Sequence, residues 1–218
     1  MKFLSLLILV FILTFSNETV GQTISLKDKE TYWTFAPIIY SGTLPSFEPN
    51  FLSGLMVKRK FDLFIVRTSI EFNTSIDNKD KITCCDMTTS EGFVKSGMLR
   101  IGIEKGIIIN NYFRPYLATE FAANKSYLDQ ILEGGVLYFH NRRTTKSSSI
   151  GLFQSAGIEF LINKNVSLAV ESSVSLLRTK SNVNTTSLIH PDIVNSSINT
   201  KTQLDLYLVS AFTLNINF

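Results

Sequence analysis

The last fifteen residues, LDLYLVSAFTLNINF from Leu204 to Phe218, constrain the fold more than any other part of the chain. Every second position reads Leu204, Leu206, Leu208, Ser210, Phe212, Leu214, Ile216 and Phe218. The alternate set is Asp205, Tyr207, Val209, Ala211, Thr213, Asn215 and Asn217. A period of two with one greasy side is a β-strand, and it must lay that side against either a protein core or lipid.

The same alternation recurs upstream. Val166 to Arg178 sets Val166, Leu168, Val170, Val174 and Leu176 against Ser167, Glu171, Ser173 and Ser175, and Ile150 to Ile162 behaves likewise. Further strands are predicted near Tyr112 to Ala123, Phe93 to Glu104, Leu63 to Asn73, Phe51 to Arg59 and Tyr32 to Ser41. With the C-terminal strand these make eight. Their connections alternate in length. Those near Phe61, Ile108 and Lys164 are short, and those around Leu44, around Ile82, from Ala123 to Ser149 and from Thr179 to Gln203 are longer. All long connections then emerge at one end of an up-and-down meander. This asymmetry predicts an all-β, eight-stranded antiparallel up-and-down transmembrane β-barrel with short periplasmic turns and long extracellular loops.

Charges test which side faces water. Arg67, Glu71, Arg100, Glu104, Arg114, Glu120, Glu159, Glu171 and Asp205 all fall on the less apolar side of their strands. Both signs are present, so these residues are expected to pair inside an eight-stranded barrel, which is just wide enough for side chains to fill. A soluble sheet protein with the same charges in water is the alternative. Aromatic spacing favours lipid: Phe64 and Phe72 share a face, as do Phe113 and Phe121. Eight residues at about 3.3 Å, tilted by roughly 40°, climb about 20 Å, close to the height between two aromatic girdles. Phe160 and Phe218 are placed in the turn-side girdle and Phe93 toward the loop side. Lys95, on the outward face, is expected to snorkel. The inward sets of the first two strands stay unassigned, because both faces of YWTFAPIIY are apolar and Pro37 cannot donate to a ladder.

The start of the chain is of another kind. Met1 and Lys2 precede the apolar run FLSLLILVFILTF, which is too short to cross a bilayer as a helix and fits a secretory signal peptide over residues 1–21. Cleavage is expected near Gly21 and Gln22, with an uncleaved anchor as the alternative; the barrel domain then covers 22–218. A net charge of +3 gives no ground for a nucleic-acid partner. Cys84 and Cys85 are neighbours, so a bridge between them would be strained and would close almost no loop, and no histidine stands near to complete a metal site. No metal or cofactor is expected.

The signal peptide ending near GQ, the NYFRPYLATEFA strand and the terminal LNINF resemble small outer-membrane β-barrel proteins of Bacteroidetes. The resemblance is to the broad outer membrane protein β-barrel family, PorT-like proteins included, and in architecture to OmpA- and OmpX-type barrels. It implies residence in the bacterial outer membrane. It also implies that Phe212, Leu214, Ile216 and Phe218 form the C-terminal signal read by the barrel assembly machinery.

No catalytic residues are assigned. The two histidines, His140 and His190, fall in predicted loops, and a lipid-modifying pair of His140 with Ser147 is conceivable only by proximity in sequence. The basic stretch HNRRTTK from His140 to Lys146 has a charge suited to lipopolysaccharide or another polyanion, although such residues usually just solvate a loop. The N-x-S/T triplets at Asn73, Asn124, Asn165, Asn184 and Asn195 fit chance in a chain rich in those residues. The expected function is therefore a structural or interaction barrel, its partners the lipid bilayer, the assembly machinery and an extracellular or envelope protein met by the long loops. A narrow channel or a transport or secretion accessory is the first alternative, and an embedded lipid-modifying enzyme the second.

Overall fold

The computed structural model describes residues 32–41, 53–61, 63–83, 86–109, 112–134 and 139–218. The predicted signal segment and the Cys84–Cys85 pair lie outside them. Eight strands follow one another: β1 (Trp33–Ser41), β2 (Gly54–Lys60), β3 (Ile65–Thr83), β4 (Asp86–Gly106), β5 (Phe113–Gly134), β6 (Phe139–Leu161), β7 (Val166–Ser187) and β8 (Val194–Asn217). Each pairs antiparallel with its sequence neighbour, and β8 returns to β1, so the sheet closes into an up-and-down barrel.

Closure is made at the chain's end. Phe218 N–H donates to Trp33 O at 2.9 Å, Trp33 N–H returns to Phe218 O at 3.3 Å, and Thr34 stands opposite Asn217. The tight end of the meander has local causes. Between β6 and β7 the Asn163 Oδ1 accepts the N–H groups of Asn165 and Val166, both at 2.8 Å, an Asx turn that holds the reversal. Between β2 and β3 the Phe61 N–H donates to Phe64 O at 2.8 Å.

Alternation sorts the side chains as the pleat requires. Phe35, Phe64, Phe72, Phe113, Phe121, Phe160, Leu206 and Leu208 point outward and are exposed, while Arg67, Glu71, Arg100, Glu104 and Glu120 are wholly enclosed. The first two strands also resolve: Thr34, Ala36 and Ile38 of β1 and Met56 and Lys58 of β2 face inward. Ala36, Ile38, Met56 and Ala211 make a small apolar cluster on that side of the lumen.

The other end of the barrel departs from expectation. The stretches read as long connections around Ile82, from Ala123 to Ser149 and from Thr179 to Gln203 are mostly continuations of the strands. β3 and β4 stay paired out to Thr83 and Asp86, β5 and β6 to Gly134 and Phe139, and β7 and β8 to Thr186 and Val194. The hydropathy signal is weak there because these stretches of the sequence are mostly polar, with apolar residues scattered out of period. What remains is cross-strand pairing of hydroxyls, as between Ser147 and Ser181 at 2.8 Å and Ser149 and Thr179 at 2.7 Å.

Candidate functional site

The interior is where most of the unusual chemistry of this chain collects. Arg67 of β3 sits at its centre and makes five hydrogen bonds. Its Nε and Nη2 fork onto Glu120 of β5, both at 2.9 Å. Nη1 and Nη2 reach Glu171 of β7 at 2.8 and 2.9 Å, and Nη1 also meets Glu104 of β4 at 3.2 Å. Around this hub, Arg114 pairs with Glu104 and Glu159, Arg100 with Glu71 and, at 3.4 Å, Glu120, and Lys58 Nζ lies 3.1 Å from Glu104. Among the described residues, four buried cations thus face five buried carboxylates in one connected network. Buried charges persist only when paired and hydrogen-bonded, and guanidinium forks suit carboxylates best.

Two glycines make this reach possible. Gly102 lies in one row between Arg67 and Glu120 across the sheet. A Cβ there would come within 2.7 Å of Glu120 Cγ, so a bare backbone on β4 leaves room for the Glu120 side chain between its strand and Arg67. Gly157 lies likewise between Tyr116 and Glu171. The Tyr116 ring passes over it, with Cζ only 2.4 Å from where a Cβ would stand, and its hydroxyl donates to Glu171 Oε1 at 2.7 Å.

Above and below the hub the lumen is occupied. On the turn side Asn215 Nδ2 donates to Glu159 Oε1 at 2.8 Å, and the Ser167 hydroxyl bonds the same carboxylate. On the loop side Met98, Ala122 and Phe153 cluster, with Leu177 and Tyr207 against them. Phe153 and Tyr207 stack with centroids 6.3 Å apart, and the Arg100 guanidinium lies 5.3 Å from the Phe153 centroid. An apolar layer therefore caps a charged one.

The structure gathers Arg67, Glu71, Arg100, Glu104, Arg114, Glu120, Glu159 and Glu171 into this interior and leaves Asp205 apart. Asp205 is half-exposed and accepts from Gln203 Nε2 at 2.5 Å. The reason is geometric: among the described residues β1 pairs with β8 only as far as Ala211, so Asp205 lies where β8 has outrun that pairing. Sequence reasoning missed Lys58 and Tyr116. Lys58 stood on a strand whose facing was unassigned, and Tyr116, although it alternates with Arg114 and Glu120, carries no charge to single it out until the register puts it beside Gly157.

His140 and Ser147 do not meet. Both belong to β6, seven residues apart and therefore on opposite faces, about 23 Å along the strand. Ser147 bonds Ser181, and His190 lies in the turn before β8.

No family model and no curated protein matches this chain. Among solved structures it is similar to a major outer membrane protein from Thermus thermophilus, at 12% identity over 87% of this chain and 100% of that one, with a TM-score of 0.47.

Proposed function

We propose that this chain is an integral β-barrel of the bacterial outer membrane whose lumen is sealed and whose role is structural or interactive. The observation that carries the reading is the inversion of the barrel: leucine, isoleucine and phenylalanine outside, ion pairs inside. Water outside would leave that belt as an exposed apolar patch far larger than monomeric soluble proteins carry, whereas lipid covers it. The stoppered interior argues against the channel alternative, because an ion crossing it must break the Arg67 network and part Phe153 from Tyr207. The working surface is then the projecting sheet. The loop-side half of β8, from Val194 to Leu204, pairs with β7, and its other edge has no partner strand among the described residues. Such an edge offers backbone donors and acceptors to an extended segment of a partner protein.

Export by a signal peptide over residues 1–21 and recognition of Phe212, Leu214, Ile216 and Phe218 by the assembly machinery complete the proposal. Phe218 sits at the ring's closing hydrogen bonds, so the strand that would be recognised is also the one that seals the barrel. The test is membrane fractionation with heat-dependent gel mobility, followed by conductance in planar bilayers. The reading expects a heat-modifiable outer-membrane band and no current. A soluble band overturns the membrane assignment, and steady unitary current overturns the sealed lumen.

A further inference from the structure

On four adjacent strands the outward apolar belt gives way to lysine at nearly the same level. On β4 the outward positions run Leu99, Gly97, Lys95; on β5, Phe121, Ala123, Lys125; on β6, Ile150, Ser148, Lys146; on β7, Leu176, Arg178, Lys180. The register shows how close these come. Gly97, Lys125, Ser148 and Lys180 form one row across the sheet, and Lys95, Tyr127, Lys146 and Asn182 form the next. Lysines in a row are two strands apart, about 10 Å, and the rows are about 7 Å apart, so one headgroup can touch several ammonium groups. Lys95, Lys125 and Lys146 also border a groove of about 500 Å³, beside Gly97 and Tyr127. All four lysines are exposed, and among the described residues no carboxylate pairs with them. Asp129, on the same face, is held by Arg142 at 2.6 Å.

We infer that this patch binds the phosphate of an anionic lipid headgroup at the loop-side membrane interface, an inference that rests on the membrane reading above. The location chooses lipid over a free anion. The lysines stand at the rim of the apolar belt, so an amphiphile lays its chains along Leu99, Phe121 and Ile150 while its headgroup meets the ammonium groups. Charge complementarity alone serves any polyanion; only a lipid also uses the adjoining apolar wall. Ordinary snorkelling accounts for single lysines at such a depth, but not for their gathering on β4 to β7. On β3 and β8 the positions just past the belt are uncharged, Thr74 after Phe72 and Thr202 before Leu204.

The experiment reconstitutes the full barrel in phosphatidylcholine vesicles and measures, by spin-label spectroscopy, the preference of the protein-contacting lipid shell for phosphatidic acid over phosphatidylcholine. Each basic side chain near a membrane surface contributes enough to expect a preference of about five-fold or more, falling toward parity in Lys95→Gln/Lys125→Gln/Lys146→Gln/Lys180→Gln. The control is Arg59→Gln, at the opposite end of the outer face, where Arg59 lies 5.0 Å from the Trp33 ring centroid; it keeps the preference. Equal preference in the wild type and the four-lysine variant overturns the inference. So does its loss in Arg59→Gln, or its abolition by excess inorganic phosphate, which would make the ligand a free anion. Absence of any motionally restricted lipid signal would instead bring down the membrane reading itself.

Discussion

Replacing Arg67 by leucine removes the hub of the interior and leaves its acceptors in place. Five hydrogen bonds go, and the losses are unequal. Glu104 keeps Lys58 and Arg114, Glu171 keeps the Tyr116 hydroxyl, and among the described residues Glu120 keeps only the 3.4 Å contact with Arg100. Deleting one partner of a buried ion pair costs about 3–5 kcal/mol, because the remaining charge stays buried without compensation. Two carboxylates each lose a two-point partner here, so the upper part of that range is expected. Arg67→Lys retains the charge but not the fork, and is expected to cost less, about 1.5–3 kcal/mol. Adding Glu120→Gln and Glu171→Gln to Arg67→Leu removes the stranded charges and should recover more than half of the loss. The assay is urea unfolding in phosphatidylcholine vesicles, followed by the fluorescence of Trp33, the single tryptophan, and by the heat-dependent gel shift. An Arg67→Leu cost below about 1 kcal/mol, the size of an exposed ion pair, would refute the reasoning. Failure of the neutralising changes to recover stability would refute it equally.

Gly157→Val should displace the Tyr116 ring and break its bond to Glu171, costing about 1–3 kcal/mol by the same unfolding assay. Tyr116→Ala should absorb most of that penalty in the double variant, and full additivity would mean the ring does not need the glycine. Leu208→Arg, on the outward face, should cost about 2–4 kcal/mol in lipid while Asp205→Asn costs less; equal tolerance would reverse the assignment of faces. Above the belt, hydrogen bonds from Arg142, with its charge and the Tyr127 hydroxyl, hold Asp129 below the ordinary aspartate range against the opposing effect of burial. A depressed carboxylate contributes its stability above the unfolded-state value near 4 and loses it as pH falls through the lower folded value. Amide exchange in the paired stretch around Asp129 and Thr144 should therefore quicken below about pH 4 in the wild type and change less in Asp129→Asn; equal acceleration in both would remove this ion pair as the cause.

The amino-acid sequence by itself determined what repeats locally. The alternation in Leu204–Phe218 and Val166–Arg178 specifies strands, because successive side chains on a pleated chain point to opposite faces and a whole face must be covered. The tight turns near Phe61, Ile108 and Lys164 between successive strands specify the meander, although the long connections opposite them proved to be mostly strand, and the charges on one face place Arg67, Glu104 and Glu171 on the inside. Tertiary structure decided everything that depends on register. Nothing near Gly102 or Gly157 in the chain says which side chain will use the room it leaves, since Arg67 with Glu120 and Tyr116 with Glu171 are brought into line only by the pairing of three strands. Lys58 and Ile38 acquired an inward face only when β1 closed onto β8. The strand ends beyond the apolar belt stayed illegible because their mostly polar sequence carries no hydrophobic period, while the backbone ladder that holds them leaves no mark in composition.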